Sequence, residues 1–227
     1  MKLIVWDVDG TLVDSRALIL ECCQYALVQA GLPSPDYEAV RQIVGLSLGH
    51  ALSVLAPSLD VAGVQKAEED YKVRFREHRA IPGFREPLFA GADEALRRLS
   101  GEGRLQAVAT GKSRRGVESI LEMHGWSDLF GSTHCADDGP GKPNPAMLLA
   151  AMAAAGARPE ETMMIGDTVH DIRMALAAGV YAQGVAWGFN TEAELRAAGA
   201  HDVAHDFVSL NKRLDAFFAD EPLEAQA

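Results

Sequence analysis

From Gly91 onward the chain alternates between two periodicities, and no other feature limits its fold as strongly. Short apolar runs at 105–109, 133–136, 162–165 and 182–186 read as strands. Amphipathic stretches at 92–99, 114–124, 145–155, 171–178, 192–198 and 208–218 read as helices. Strands separated by helices pair in parallel, and their crossovers place helices on both faces of the sheet. The expected class is therefore α/β, with a doubly wound, Rossmann-like parallel sheet. A further apolar run, Leu3-Ile4-Val5-Trp6, stands alone at the start of the chain and reads as the first strand.

Between that strand and the one at 105 the pattern is nearly all helical. A helix capped by Asp14 or Ser15 repeats Leu18, Ile19, Cys22, Cys23, Ala26, Leu27 and Ala30 at helical spacing and ends at Gly31 and Pro33. Further helices are expected at 36–44, 48–55 and 61–78, before two prolines and a glycine at 81–87 break the pattern. A structureless loop of this length is implausible within a compact domain. Residues 15–85 are therefore expected to form an α-helical cap inserted into a core built from residues 1–14 and 86–227. The acidic, apolar-poor tail after Phe218 is expected to fray.

With 48% hydrophobic residues in 227, the chain can bury a sizeable core. Its net charge of −11 argues against a nucleic-acid partner, which would call for a basic stripe. A phosphate-bearing ligand then needs a metal or a local cation. Three cysteines, Cys22, Cys23 and Cys135, do not form a secreted disulfide framework and suggest buried thiols in a reducing compartment. The first apolar run is too short for a signal peptide, and no stretch is long enough to span a bilayer. A cytoplasmic protein with no membrane partner is expected.

Asp7-Val8-Asp9-Gly10-Thr11-Leu12 places two carboxylates at the C-terminal end of the first strand, the edge at which open parallel sheets bind ligands. Gly10 lets the chain turn so that both face one pocket. Such a pair can divide labour, one acting as an ionised nucleophile and the other as general acid and then base. The alternative is a strand-end carboxylate followed by an Asp-Gly turn. At the end of the next strand, the Thr110 hydroxyl and nearby backbone N–H groups, including that of Gly111, can hold a phosphoryl oxygen; a plain strand-end turn fits equally. The run Gly111-Lys112-Ser113 resembles the end of a P-loop, but the first glycine of that motif would fall on Gln106, which excludes it.

In Gly141-Lys142-Pro143-Asn144-Pro145 a lysine is fixed by its neighbours, with Asn144 as N-cap and Pro145 as first residue of a helix. Either it neutralises a phosphoryl group or it sits in a surface turn. Finally, Gly166-Asp167 and Asp171 follow an apolar strand and open a helix. Both can converge on a hard cation, for which oxygen ligands suit Mg²⁺, and Asp171 can also serve as an N-cap.

These four motifs occur in order, each at a strand end. Together they resemble the haloacid dehalogenase superfamily of phosphohydrolases, with its D-x-D-G-T-L, Thr or Ser, Lys-Pro and G-D-x-x-x-D pattern, in the subgroup with a small helical cap. The resemblance implies that Asp7 is a nucleophile forming an aspartyl-phosphate and that Asp9 protonates the leaving group and later activates water. It implies that Thr110 binds the phosphoryl group and that Lys142 offsets charge on it and on Asp7. Mg²⁺ would be held by Asp7, the Asp9 backbone carbonyl and Asp167, with Asp171 bound through water or paired to Lys142. Haloacid dehalogenases proper lack the second carboxylate, so Asp9 favours phosphate esters. Phosphonoacetaldehyde hydrolases need a cap lysine, and Lys66 and Lys72 lie on a charged helix.

The implied activity is Mg²⁺-dependent hydrolysis of a small phosphomonoester, resembling that of phosphoglycolate phosphatases. The alternatives are a phosphomutase of the β-phosphoglucomutase type, a pyrophosphatase, or a non-catalytic phosphate-binding module. The cap would supply specificity through the glycine-rich segment 44–50, with Arg41, Ser47 and His50 as substrate contacts and Arg74, Arg76 and Arg79 as further cations, unless its glycines simply serve a tight turn. A monomer or homodimer is expected. His201 and His205 have metal-like spacing, but Val203 between them suggests a short strand.

Overall fold

The structure, a computed structural model, describes residues 1–219. Six parallel strands form one sheet: β1 (Leu3–Trp6), β2 (Leu105–Ala109), β3 (Ser132–His134), β4 (Thr162–Gly166), β5 (Tyr181–Val185) and β6 (Asp202–Ala204), in the spatial order β3-β2-β1-β4-β5-β6. The chain builds outward from β1 through β2 and β3, then returns to β4 on the other side of β1. That reversal places the topological switch point between β1 and β4, where ligand crevices open in such sheets.

Side-chain alternation along β1 explains the layering. Ile4 and Trp6 enter one core with Leu96 and Leu99 of α5 (Ala92–Gly101), Ile120 of α6 (Arg114–His124), and Leu210 and Leu214 of α10 (Phe207–Ala219). Leu3 and Val5 enter the opposite core with Leu148 of α7 (Ala146–Ala155) and Ile172 of α8 (Val169–Ala177). The small α9 (Glu192–Ala197) adds Leu195 to this second face. The excluded P-loop position, Gln106, is a core residue: it accepts from Trp6 Nε1 at 3.1 Å and donates to the Leu96 carbonyl at 3.0 Å.

Between β1 and β2 lie four helices: α1 (Arg16–Gln29), α2 (Tyr37–Arg41), α3 (Leu48–Leu55) and α4 (Val61–Arg79). Two apolar clusters hold them. Ile19, Cys23, Val40, Ile43 and Val44 form one, and Ala26, Leu27, Leu52 and Ala67 the other. Cys22, Cys23 and Cys135 are free, buried thiols; burial pushes Cys22 and Cys23 up to about 12.

Some local expectations shift. The helix expected at 36–44 is the single turn Tyr37–Arg41, capped by Asp36, and the chain then turns through Gly45. Ser15 occupies the N-cap of α1 without a capping bond, while Asp14 pairs with Arg16. The helix expected from Asp171 begins two residues earlier, because Thr168 and Asp171 form a reciprocal capping box. Pro145 sits at the N-cap of α7, although the Asn144 side chain still accepts from Ala146 N at 3.0 Å. The tail expectation falls, past Ala219, outside the described residues. Among those residues no helix is long and apolar enough to cross a membrane.

Candidate active site

Strand register brings the acidic motifs together. Trp6 pairs with Ile165 and Val108, so Asp7 leaves its strand within one residue of the level of Asp167 and Thr110, at the same edge. Asp7 N donates to the Ile165 carbonyl at 2.9 Å, which ties the first motif to the last. Beyond it the chain turns sharply at Gly10, whose φ is +85° and where a Cβ would collide with the Asp167 carboxylate.

Asp7, Asp167 and Asp171 present carboxylate oxygens within 4.8 Å of one another, and all three are buried. Lys142 Nζ lies 2.8 Å from Asp7 Oδ1 and 2.6 Å from Asp171 Oδ1, with its side chain fully buried. Both Asp167 oxygens and the second oxygen of Asp171 have fixed partners. Asp167 Oδ1 accepts from Thr11 Oγ1 and Oδ2 from Phe189 N, each at 2.8 Å. Asp171 Oδ2 accepts from Thr168 N at 3.0 Å and Thr168 Oγ1 at 2.7 Å.

Three carboxylates thus share one ammonium, an excess of negative charge in a space closed to water. Burial first, then the Asp171 and Asp9 charges, push Asp7 up to about 6 against the pull of Lys142. Burial and the charges of Asp171 and Asp7 raise Asp167 well above the carboxylate range. Burial opposes the charge on Lys142, but Asp171 and Asp7 outweigh it and hold the ammonium above its ordinary value. A hard divalent cation fits this donor set, because it supplies the missing positive charge to oxygen ligands already converged.

Asp9 lies at the rim, and Lys112 Nζ donates to its two oxygens at 2.6 and 2.9 Å. Thr110 is buried, and its hydroxyl accepts from Lys112 N at 3.3 Å. The helical insertion comes down onto this edge at Gly111. A Cβ there would lie 2.8 Å from both the Gly45 and Leu46 carbonyl oxygens.

The expected contacts of the insertion are less uniform. Ser47 reaches the site's margin beside Gly141, whereas His50 is exposed on α3. Arg41 already has two acidic partners: its guanidinium pairs with Glu38 and with both oxygens of Glu194 at 2.9 Å. Arg74 pairs with Glu21 and Glu77, and Arg79 with Glu86. His201 and His205 do not converge, since the first accepts from Ala182 N and the second pairs with Glu192. Sequence reasoning missed Lys112 as a partner of Asp9, although its place just after Thr110-Gly111 at a strand end was a usable signal. The Phe189 N–H carries none.

Residues 4–185 match the family of haloacid dehalogenase-like hydrolases. A protein named probable phosphatase IndB, from Dickeya dadantii (strain 3937), is 37% identical over 207 residues, 90% of either chain. A phosphoglycolate phosphatase of Pseudomonas putida is 32% identical over 192 residues, 83% of this chain and 71% of its own. Among solved structures, a haloacid dehalogenase-like hydrolase from Bacteroides fragilis superposes with a TM-score of 0.83 at 27% identity, over 92% of this chain and 99% of that one. Both the match along most of the chain and the convergence of its four motifs lead to one assignment: this chain belongs to the haloacid dehalogenase-like hydrolases.

Proposed function

We propose that the chain is a Mg²⁺-dependent phosphatase that hydrolyses a small phosphomonoester through an aspartyl-phosphate, with a substrate of the phosphoglycolate class. The observation that carries this reading is the fully buried Lys142 between Asp7 and Asp171. Lys142 pulls Asp7 toward its ionised form against the burial that opposes it and fixes it beside a cation, as suits a nucleophile toward an anionic phosphoryl group. In this reading residues 1–14 and 86–227 are the catalytic core, and 15–85 are the cap that excludes water from it. The protein works in the cytoplasm as a monomer or homodimer.

The chemistry takes two displacements. An Asp7 oxygen attacks phosphorus and the ester P–O bond breaks, while Asp9 delivers a proton to the departing oxygen. Asp9, now a carboxylate, takes a proton from water, whose oxygen attacks the phosphorus of the aspartyl-phosphate and frees Asp7 and inorganic phosphate. Thr110 and the Gly111 backbone hold the phosphoryl oxygens, and Lys142 offsets their charge. Asp7, the Asp9 backbone carbonyl and Asp167 are the groups that would hold Mg²⁺, with Asp171 oriented through Lys142. The ion, when bound, would supply positive charge opposite the phosphoryl oxygens.

Phosphate release from phosphoglycolate, glycerol phosphates, sugar phosphates, pyrophosphate and p-nitrophenyl phosphate, with Mg²⁺ and with chelator, tests the reading. The expected result is release from one ester far above the rest, abolished by chelator and restored by Mg²⁺. No release from any by a folded protein would overturn it, and isomerisation of a sugar phosphate without release would replace it with the phosphomutase.

A further inference from the structure

We infer that Lys112 is the positioning residue for Asp9, and that it ties Asp9 to the junction between the insertion and the core. The inference rests on the proposed role of Asp9 as acid and base. Among the described residues, both hydrogen bonds accepted by the Asp9 carboxylate come from Lys112 Nζ, at 2.6 and 2.9 Å. The Lys112 side chain is itself only 8% exposed. Its ammonium stands 3.5 Å from Glu86 Oε2 and 5.3 Å from the centre of the Phe75 ring. Glu86, wholly buried, gives its other oxygen to Arg79, the last residue of α4. A continuous chain therefore runs from the turn after β1, through Lys112, to Glu86 on the segment that returns to the core and to the final turn of α4.

Each link is largely shielded from water and charge-matched, so the Asp9 carboxyl sits where Lys112 holds it. The Glu86 carboxylate offers the ammonium a second anionic partner when Asp9 turns toward a leaving group. Movement of the insertion displaces Arg79, and through Glu86 and Lys112 it reaches Asp9. The Lys112 side chain is thus part of the acid's mounting, while its backbone N–H, 3.3 Å from Thr110 Oγ1, belongs to the turn that holds Thr110. Misplacing a reacting group by about 1 Å costs on the order of 100-fold in rate, so this mounting carries a measurable share of turnover.

The test compares Lys112→Met, Asp9→Asn and the double variant on two leaving groups: the alkyl phosphate that the wild type cleaves fastest, and p-nitrophenyl phosphate, whose leaving group needs little protonation. Lys112→Met is expected to lose about 10- to 100-fold in kcat on the alkyl ester but no more than about threefold on the aryl ester. It should add nothing to Asp9→Asn, because two residues acting as one unit are not additive. Lys112→Arg should restore part of the loss. Equal loss on both esters by Lys112→Met, with Asp9→Asn still selective, would overturn the inference and leave the acid assignment standing. Equal loss by Asp9→Asn itself would remove the acid assignment and the inference with it. Should Lys112→Met not fold, Glu86→Gln is read the same way, with the same selectivity at smaller size expected and equal loss on both esters counting against the inference.

Discussion

The edge of the sheet and the helical insertion handle charge in opposite ways. At the edge, Asp7, Asp167, Asp171 and Lys142 share a buried space, and two of the three carboxylates are raised above their ordinary range. In the insertion the interior is apolar, and charges such as Lys66 and Asp70, or Lys72 and Glu68, pair along the outer face of α4. Exposed pairs of that kind contribute about 1 kcal/mol or less, whereas taking each buried charge out of water costs on the order of several kcal/mol, which one shared ammonium offsets only in part. The edge therefore gives up stability for reactivity, and the insertion does not. The insertion meets the site mainly with backbone, the Gly45 and Leu46 carbonyls over Gly111.

The sharpest break in this contrast is Asp7→Asn. Asparagine keeps the shape but removes the ionised carboxylate proposed as the nucleophile, and steady-state turnover should fall by about 1,000-fold or more. Stability should move the other way. The fold raises Asp7 from 3.8 to about 6, so its contribution is intact below about pH 4 and lost as pH rises through about 6. Without metal at pH 8 the wild type bears a buried charge that the variant lacks, while Lys142 keeps Asp171 as partner. Thermal melts should show a higher Tm for Asp7→Asn at pH 8, a difference that shrinks toward pH 4. A lower Tm at pH 8 would mean that Lys142 compensates the cluster fully.

Next in size is Gly111→Ala. A methyl group 2.8 Å from two backbone carbonyl oxygens forces the insertion off the edge, since neither neighbour is a side chain that can swing away. Core packing should survive, and kcat/KM should fall about 100-fold for alkyl and aryl phosphates alike. An unchanged kcat/KM in a variant of unchanged Tm would show that the insertion need not seat on Gly111 for turnover.

How much of this was legible in the chain differs between the two regions for a physical reason. At the edge Asp7, Thr110 and Asp167 directly follow β1, β2 and β4, and Asp171 opens the next helix, so all four could be placed from local pattern alone. Lys142 announced itself through the prolines around it. The contacts of the insertion join residues far apart, such as Arg41 to Glu194 and Phe75 to Lys112, and no local periodicity encodes which side chains meet. The same limit explains why 36–44 forms so short a helix. Its apolar residues Val40, Ile43 and Val44 are buried against α1 and Phe189, and the chain reaches them by turning after Arg41 instead of continuing the helix.

Arg41 gives the smallest effect and the cleanest separation of the two regions. Its side chain is 13% exposed, yet its partners Glu38 and Glu194 are 66% and 31% exposed, so water screens much of the attraction. As a tie between α2 and α9, Arg41 should cost about 1 kcal/mol or less when replaced by methionine, which keeps the aliphatic contact. As a substrate contact it would instead hold the acidic part of a ligand, and its loss would raise KM for phosphoglycolate alone. Kinetics of Arg41→Met on phosphoglycolate and on a neutral ester should show KM unchanged within about twofold for both. A rise of tenfold or more confined to the acid would mean that Arg41 leaves Glu194 to bind substrate, and that the insertion reads its ligand by charge after all.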